Sequence, residues 1–182
     1  MKFRFPKTVI FTTLCTAMAF AAVTYTSCSK DKCKAVVCAY GGTCNDGVCT
    51  CVSGYEGVQC EVITRDKYTG IYQVTETSTL DAALQDHYSL EIANDSDLTH
   101  VIIKNFYNAV VGDVHASIVG DSITIPKQTF GDKTVKGHGH LVPESTTYSQ
   151  HVQIIMHYSV TYTNGNVDDF GIDNGSPSIW QK

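Results

Sequence analysis

Six cysteines between Cys33 and Cys60 constrain this chain more than any other feature. A segment so short cannot bury enough apolar surface to offset its ordering entropy. It needs covalent staples, each contributing about 2–4 kcal/mol. Disulfides persist in oxidising compartments, so the chain is expected outside the cytosol. The spacing is Cys33-x4-Cys38-x5-Cys44-x4-Cys49-x-Cys51-x8-Cys60. Six cysteines allow 15 pairings, and spacing alone selects none of them. Zinc is the competing use of close cysteines such as Cys49-x-Cys51, but the CxxC pairs of zinc ribbons are absent.

The other two cysteines lie nearer the N-terminus. Lys2, Arg4 and Lys7 precede an uncharged, mostly apolar run from Val9 to Val23, the pattern of a secretory signal peptide. Thr12, Thr13, Cys15, Thr16 and Thr24 dilute that run, and a membrane-spanning helix needs about 20 apolar residues. Cleavage after Ala17-Met18-Ala19 would leave an odd number of cysteines, hence a secreted protein with a spare thiol. Thr26-Ser27-Cys28 offers a second expectation, because it resembles the lipobox of bacterial lipoproteins. Tyr25 departs from the Leu usual there. The resemblance implies a signal peptide over 1–27, a diacylglyceryl group on Cys28 and a polar tether over 28–32. Six cysteines then remain for disulfides. Ser29 after the cysteine, where Asp would mark inner-membrane retention, implies the outer membrane. Ser29-Lys30-Asp31-Lys32 also resembles the export signals of surface-exposed lipoproteins. The membrane is thus an expected partner through the anchor, acyl chains supplying about 0.8 kcal/mol per buried CH₂. Net charge is −5 at pH 7, and residues 1–27 hold three bases and no acid, so the remainder is more acidic still. That balance excludes a basic nucleic-acid binder.

Within the cysteine cluster, Tyr40-Gly41-Gly42-Thr43-Cys44 and Cys49-Thr50-Cys51-Val52-Ser53-Gly54-Tyr55-Glu56-Gly57-Val58-Gln59-Cys60 resemble an EGF-like domain, over 33–61. The resemblance implies the pairs Cys33–Cys44, Cys38–Cys49 and Cys51–Cys60, and a spacer or protein-contact role rather than catalysis. Asp31-Lys32 before Cys33 departs from the calcium-binding version of the family. Asn45-Asp46-Gly47-Val48 reads as a hairpin turn, Asp-Gly suiting positive φ.

A linker over 62–66 leads to a second region, 67–182, without cysteine. Alternating β-branched and aromatic residues predict strands over 70–77, 88–93, 98–105, 114–119, 122–125, 133–142, 150–163, 167–172 and 178–181. A short helical stretch is expected at Leu80–Gln85, and a hairpin loop across Pro143–Ser149. Sequential hairpins imply an all-β antiparallel meander closing into a small up-and-down barrel, with a β-sandwich as the alternative. Barrel closure removes exposed edges. Inward positions are expected at Ile71, Leu90, Ile92, Val101, Ile103, Val114, Ala116, Ile118, Ile123, Ile125, Val152, Ile154, Met156, Tyr158 and Val160. Lys67-Tyr68-Thr69-Gly70-Ile71-Tyr72 resembles the Gly-x-Trp opening of lipocalins, with Tyr72 in the Trp position. That resemblance implies a carrier of a small apolar ligand.

No Gly-x-Ser-x-Gly elbow, His-Glu-x-x-His or phosphate loop occurs. No catalytic residue and no cofactor are therefore expected. His138, His140 and His151 are the candidate metal ligands, His140 facing His151 if the hairpin centres on Ser145-Thr146. A histidine-rich solvent face is the expected reading, because zinc takes three or four ligands and no carboxylate joins them. Asp168, Asp169 and Asp173 are expected to solvate a turn and an edge, with a calcium loop as the alternative. The tyrosines are expected in sheet packing. A glycan platform would need Tyr107, Tyr148, Tyr158 and Tyr162 on one exposed face. The function these readings support is a non-enzymatic, outer-membrane-anchored lipoprotein whose β region contacts protein or glycan.

Overall fold

The computed structural model describes residues 31–81, 85–146 and 149–182. The expected signal peptide over 1–27 and Cys28 lie outside the described residues, as do Ala82–Leu84 and Tyr148.

Three disulfides hold the first unit: Cys33–Cys44, Cys38–Cys49 and Cys51–Cys60. These are the pairs that the EGF-like resemblance implies. Little secondary structure is needed beside them. Strand β1 (Thr43–Asn45) pairs with β2 (Val48–Thr50) across a turn in which Asp46 and Gly47 both take positive φ. That geometry matches the right-handed twist of the strands. Strand β3 (Tyr55–Glu56) pairs with β4 (Val62–Ile63), and a single 3-10 turn, Thr64–Lys67, follows.

The second unit is a closed barrel of eight antiparallel strands. Strands β5 (Gly70–Thr77), β6 (Gln85–Asn94), β7 (His100–Lys104), β8 (Val114–Val119), β9 (Ser122–Phe130), β10 (Lys133–Thr146) and β11 (Ser149–Tyr162) pair each with the next. Strand β12 (Val167–Phe170) lies on the edge of β11. Strand β13 (Ser178–Gln181) then inserts between β11 and β5 and closes the barrel. This is the expected all-β meander, and the sandwich alternative is discarded.

Side chains alternate along every strand, so one phase fills the interior. Val74, Leu90, Ile92, Val101, Ile103, Val114, Ala116, Ile118, Ile123, Ile125, Val135, Ile154, Met156, Val160 and Trp180 all point inward and are buried. The outer phase is polar, with Gln73, Ser89, Glu91, Lys104, Lys136 and His138 exposed. Transmembrane barrels show the inverse pattern. Two expected strands change phase or length. Ile71 is 66% exposed, whereas Tyr72 is fully buried and its hydroxyl donates to the Tyr68 carbonyl at 2.7 Å. Gln85 belongs to β6 rather than to a helix.

Pro126 explains a break in the β9–β10 ladder. Val135 pairs with Gln128 and Gly137 with Ile125, so Pro126-Lys127 face Lys136 alone, as a bulge. Proline has no N–H to give a ladder. The Gln128 side chain substitutes for the missing pairing with β8: its Oε1 accepts from His115 N–H at 2.9 Å and its Nε2 donates to the His115 carbonyl at 2.7 Å.

The disulfide unit sits firmly on one end of the barrel. Thr64 N–H donates to the Gly54 carbonyl at 2.9 Å. A Cβ on Gly54 would lie 2.8 Å from the Leu98 side chain, so only glycine permits this approach. Lys67 bridges Glu56 of the disulfide unit (2.9 Å) and Asp121 of the β8–β9 turn (2.7 Å). Arg65 donates to the carbonyls of Asp95 and Asp97.

Candidate functional site

The opposite end of the barrel carries the densest chemistry among the described residues. It begins with a phase rule. Tyr72 and Val74 point inward, so Glu76 must as well, and it is 3% exposed. Its carboxylate accepts hydrogen bonds from Tyr88 (3.0 Å), Tyr158 (2.7 Å) and Ser178 (2.5 Å). Trp180 Nε1–H donates to Ser178 Oγ at 2.9 Å. Among the described residues no lysine, arginine or histidine forms an ion pair with Glu76. Burial pushes its carboxyl above the usual range, and the three hydroxyl donors oppose that only in part.

Aromatic rings surround this carboxylate. Phe106 meets Tyr158 edge-on with centroids 4.7 Å apart and Trp180 at 6.1 Å. Tyr158 stacks on Phe170 at 4.4 Å. Phe106 reaches the interior from the β7–β8 connection, a short 3-10 turn at Phe106–Asn108. Asn105, Tyr107 and Asn108 all adopt positive φ in that turn. Asparagine tolerates this conformation, so the cost, about 1–2 kcal/mol, falls on Tyr107.

The turn is fastened by a second carboxylate. Asp168 is fully buried and accepts from Tyr107 Oη (2.7 Å), Ser78 Oγ (2.8 Å), Thr79 N–H (2.7 Å) and Thr79 Oγ1 (3.0 Å). Burial alone would raise its carboxyl, but these donors outweigh it and hold Asp168 below the usual range. Tyr107 Oη also lies 2.9 Å from Tyr162 Oη. Asp169, likewise buried, accepts from the backbone N–H of Ile172 and Asp173. Asp168 and Asp169 therefore organise the barrel end rather than solvate an edge. Asp173 and Asn174 line a polar hollow beside them, with Thr79 and Val167.

The three candidate metal ligands, His138, His140 and His151, are not brought together. Strand β10 continues through Pro143 to Thr146, and Thr146 pairs with Ser149, so the turn is tighter than the expected loop. The register moves accordingly: His140 faces Ile155, His151 faces Glu144, and His138 faces His157. The His138 and His157 rings stack at 5.3 Å, and His157 Nδ1 donates to the Gly171 carbonyl at 2.8 Å. Among the described residues no three His, Cys, Asp or Glu side chains form a metal-holding group. Gly137 and Gly139 face inward between the histidines, opposite Tyr158 and Met156, where a Cβ would collide. Tyr158 is buried, and so joins no exposed tyrosine platform.

At the other end a cleft of about 180 Å³ lies between the disulfide unit (Val52, Tyr55, Glu56), the 3-10 turn (Thr64) and the barrel (Ile118, Val119).

No family model matches this chain. Among solved structures it is similar to a Bacteroides ovatus protein described as a structural-genomics target of unknown function. The two share 14% identity with a TM-score of 0.42, over 63% of this chain and 41% of that one. This chain thus matches well under half of that protein's length.

Proposed function

We propose that the protein is a non-enzymatic envelope lipoprotein, acylated at Cys28 and held at the outer membrane. In this reading the EGF-like unit is a rigid spacer and the barrel makes contact with a protein or glycan. The observation that carries it is the seating of the disulfide unit on the barrel, through Gly54 on Leu98 and the Lys67 bridge. Fastened in this way, the unit sets the barrel's height and tilt relative to a nearby anchor, which a flexible linker would not. Three disulfides within the described residues suit the oxidising side of a membrane. The test is fractionation in a bacterial host. The wild type is expected to stay with membranes through a high-salt wash, and Cys28→Ser to appear in the soluble envelope fraction. A C28S protein that remained membrane-bound would refute the anchor.

A second reading, a barrel that carries a small apolar ligand, is favoured by one observation. The turn at Phe106–Asn108, with Tyr107 at positive φ, closes the barrel end and is tied to β12 by the Tyr107 hydroxyl on Asp168.

A further inference from the structure

The two barrel ends are closed by different physics. At the disulfide end Tyr68 is buried and its hydroxyl donates to the Gly120 carbonyl at 3.0 Å. In the barrel's own described backbone at that end, positive φ falls on the glycines Gly70 and Gly120. At the other end the closure is Phe106, carried on a turn with three non-glycine residues at positive φ. Strain of this kind persists only where surrounding contacts hold it. Here those contacts are Tyr107 Oη on Asp168 and Tyr162, Asn105 Nδ2 on the Ser89 carbonyl at 2.7 Å, and the Phe106 ring itself. Release of the tyrosine latch and outward movement of Phe106 would bare the rings of Tyr158 and Trp180 that it packs against.

Behind Phe106 lies a buried carboxylate with no cation. An ionised carboxylate has about four acceptor sites. Tyr88, Tyr158 and Ser178 fill three of them, all with neutral hydroxyls. Both carboxylate oxygens are thus held by neutral donors, and no cationic side chain pairs with the group among the described residues. The same residues tie this carboxylate to the rings. Tyr158 donates to Glu76 and packs on Phe106, and Trp180 bonds the serine that bonds Glu76. A carboxylate within an aromatic wall is the chemistry that selects an ammonium group, through charge and through cation–π attraction. A neutral apolar ligand would have no use for Glu76, and an anion would be repelled.

We infer that this barrel end is a closed binding site for a small organic ammonium ion: Glu76 is the counter-ion, Tyr158, Phe170 and Trp180 are the walls, and Phe106 is a displaceable stopper latched by Tyr107 on Asp168. The inference rests on the carrier reading and is independent of the anchor at Cys28.

Trp180 is the chain's single tryptophan, so its emission reports this site alone. The experiment titrates the full chain, disulfides intact, with 4-phenylbutylammonium and with its neutral counterpart 4-phenylbutanol. The ammonium is expected to bind at least about tenfold more tightly than the alcohol. Glu76→Gln is expected to abolish that preference. Tyr107→Phe leaves the interior untouched and loosens the latch. It is expected to tighten the binding of both probes about five- to tenfold by raising the open fraction, with the ammonium preference retained. Tyr107→Phe keeps the test decisive whether or not E76Q folds. Equal binding of the two probes to the wild type and to Y107F would overturn the ammonium assignment. A preference that survives in a folded E76Q would also overturn it. Failure of both probes to bind wild type and Y107F at millimolar concentration would overturn the carrier reading itself.

Discussion

Gly137→Ala tests the packing argument at its tightest point. Gly137 faces the barrel interior and pairs with Tyr158 across the β10–β11 ladder. An added Cβ would lie 2.6 Å from Tyr158 Cβ and 2.8 Å from the His157 carbonyl oxygen. Neither neighbour is the far end of a flexible side chain, so strand β11 itself must move. Overpacking of this kind costs about 1–3 kcal/mol. Moving Tyr158 also weakens its hydrogen bond to Glu76, and bonds to charged groups contribute about 1.5–3 kcal/mol. The expected loss is therefore about 2–5 kcal/mol, short of the sum because Tyr158 is displaced only in part. The control is Gly120→Ala, where φ is +56° and nothing lies within 4 Å. Its cost is that of left-handed backbone alone, about 1–2 kcal/mol. The assay is urea unfolding followed by Trp180 emission, with m-values compared to establish a common unfolded state. A G137A protein no less stable than G120A would refute the claim that the inward glycines of β10 are fixed by close approach.

Two further outcomes follow from charges described above. Glu76 has a raised carboxyl in the fold, so the folded state takes up its proton at a higher pH than the unfolded chain does. Stability is therefore expected to rise as pH falls from neutral through that raised value toward the unfolded 4.5, and Glu76→Gln to remove this limb in urea melts across pH 8 to 5. Lys67→Met breaks both ion pairs at a partly exposed site. It is expected to cost only about 1 kcal/mol globally, while hydrogen exchange at the Thr64 amide, bonded to Gly54, speeds up disproportionately. Unchanged exchange there would refute its role in fastening the disulfide unit.

Most of the barrel was legible because it rests on period-two alternation and hairpin signals. Gly70–Thr77, Val114–Val119 and Ser178–Gln181 have the bounds that alternation predicts. The errors have local causes. Ile71 outranks Tyr72 in hydrophobicity, yet the tyrosine can bury its ring because Tyr68 supplies an acceptor for its hydroxyl. Pro143 reads as a loop, but β9 pairs with β10 only as far as His140, so Pro143 sits where no neighbour on that side needs its N–H. That misreading displaced the register and put His151, not His157, among the facing histidines. Glu76 was hidden in Thr75-Glu76-Thr77-Ser78-Thr79, which looks like a polar strand end. Counting two and four residues from Tyr72 would have found it. Phe106 and the positive-φ turn around it carry no periodic signal at all, because only the barrel beneath makes that conformation tolerable.

The insertion of Ser178–Gln181 between β5 and β11 has a consequence for how the chain is made. Strands β5 to β11 can zip in the order in which they emerge, each onto its predecessor. The seam cannot close until the last of them is available, since both neighbours of β13 were synthesised earlier and wait with unpaired backbone. Until it does, the chain is an open sheet with two sticky margins, the state in which strands from other molecules add most readily. Removing Ser178–Gln181 would leave it there permanently. The quality of the product then depends on four residues that follow both of their partner strands in the chain, and chaperoning matters most in the interval before they pair.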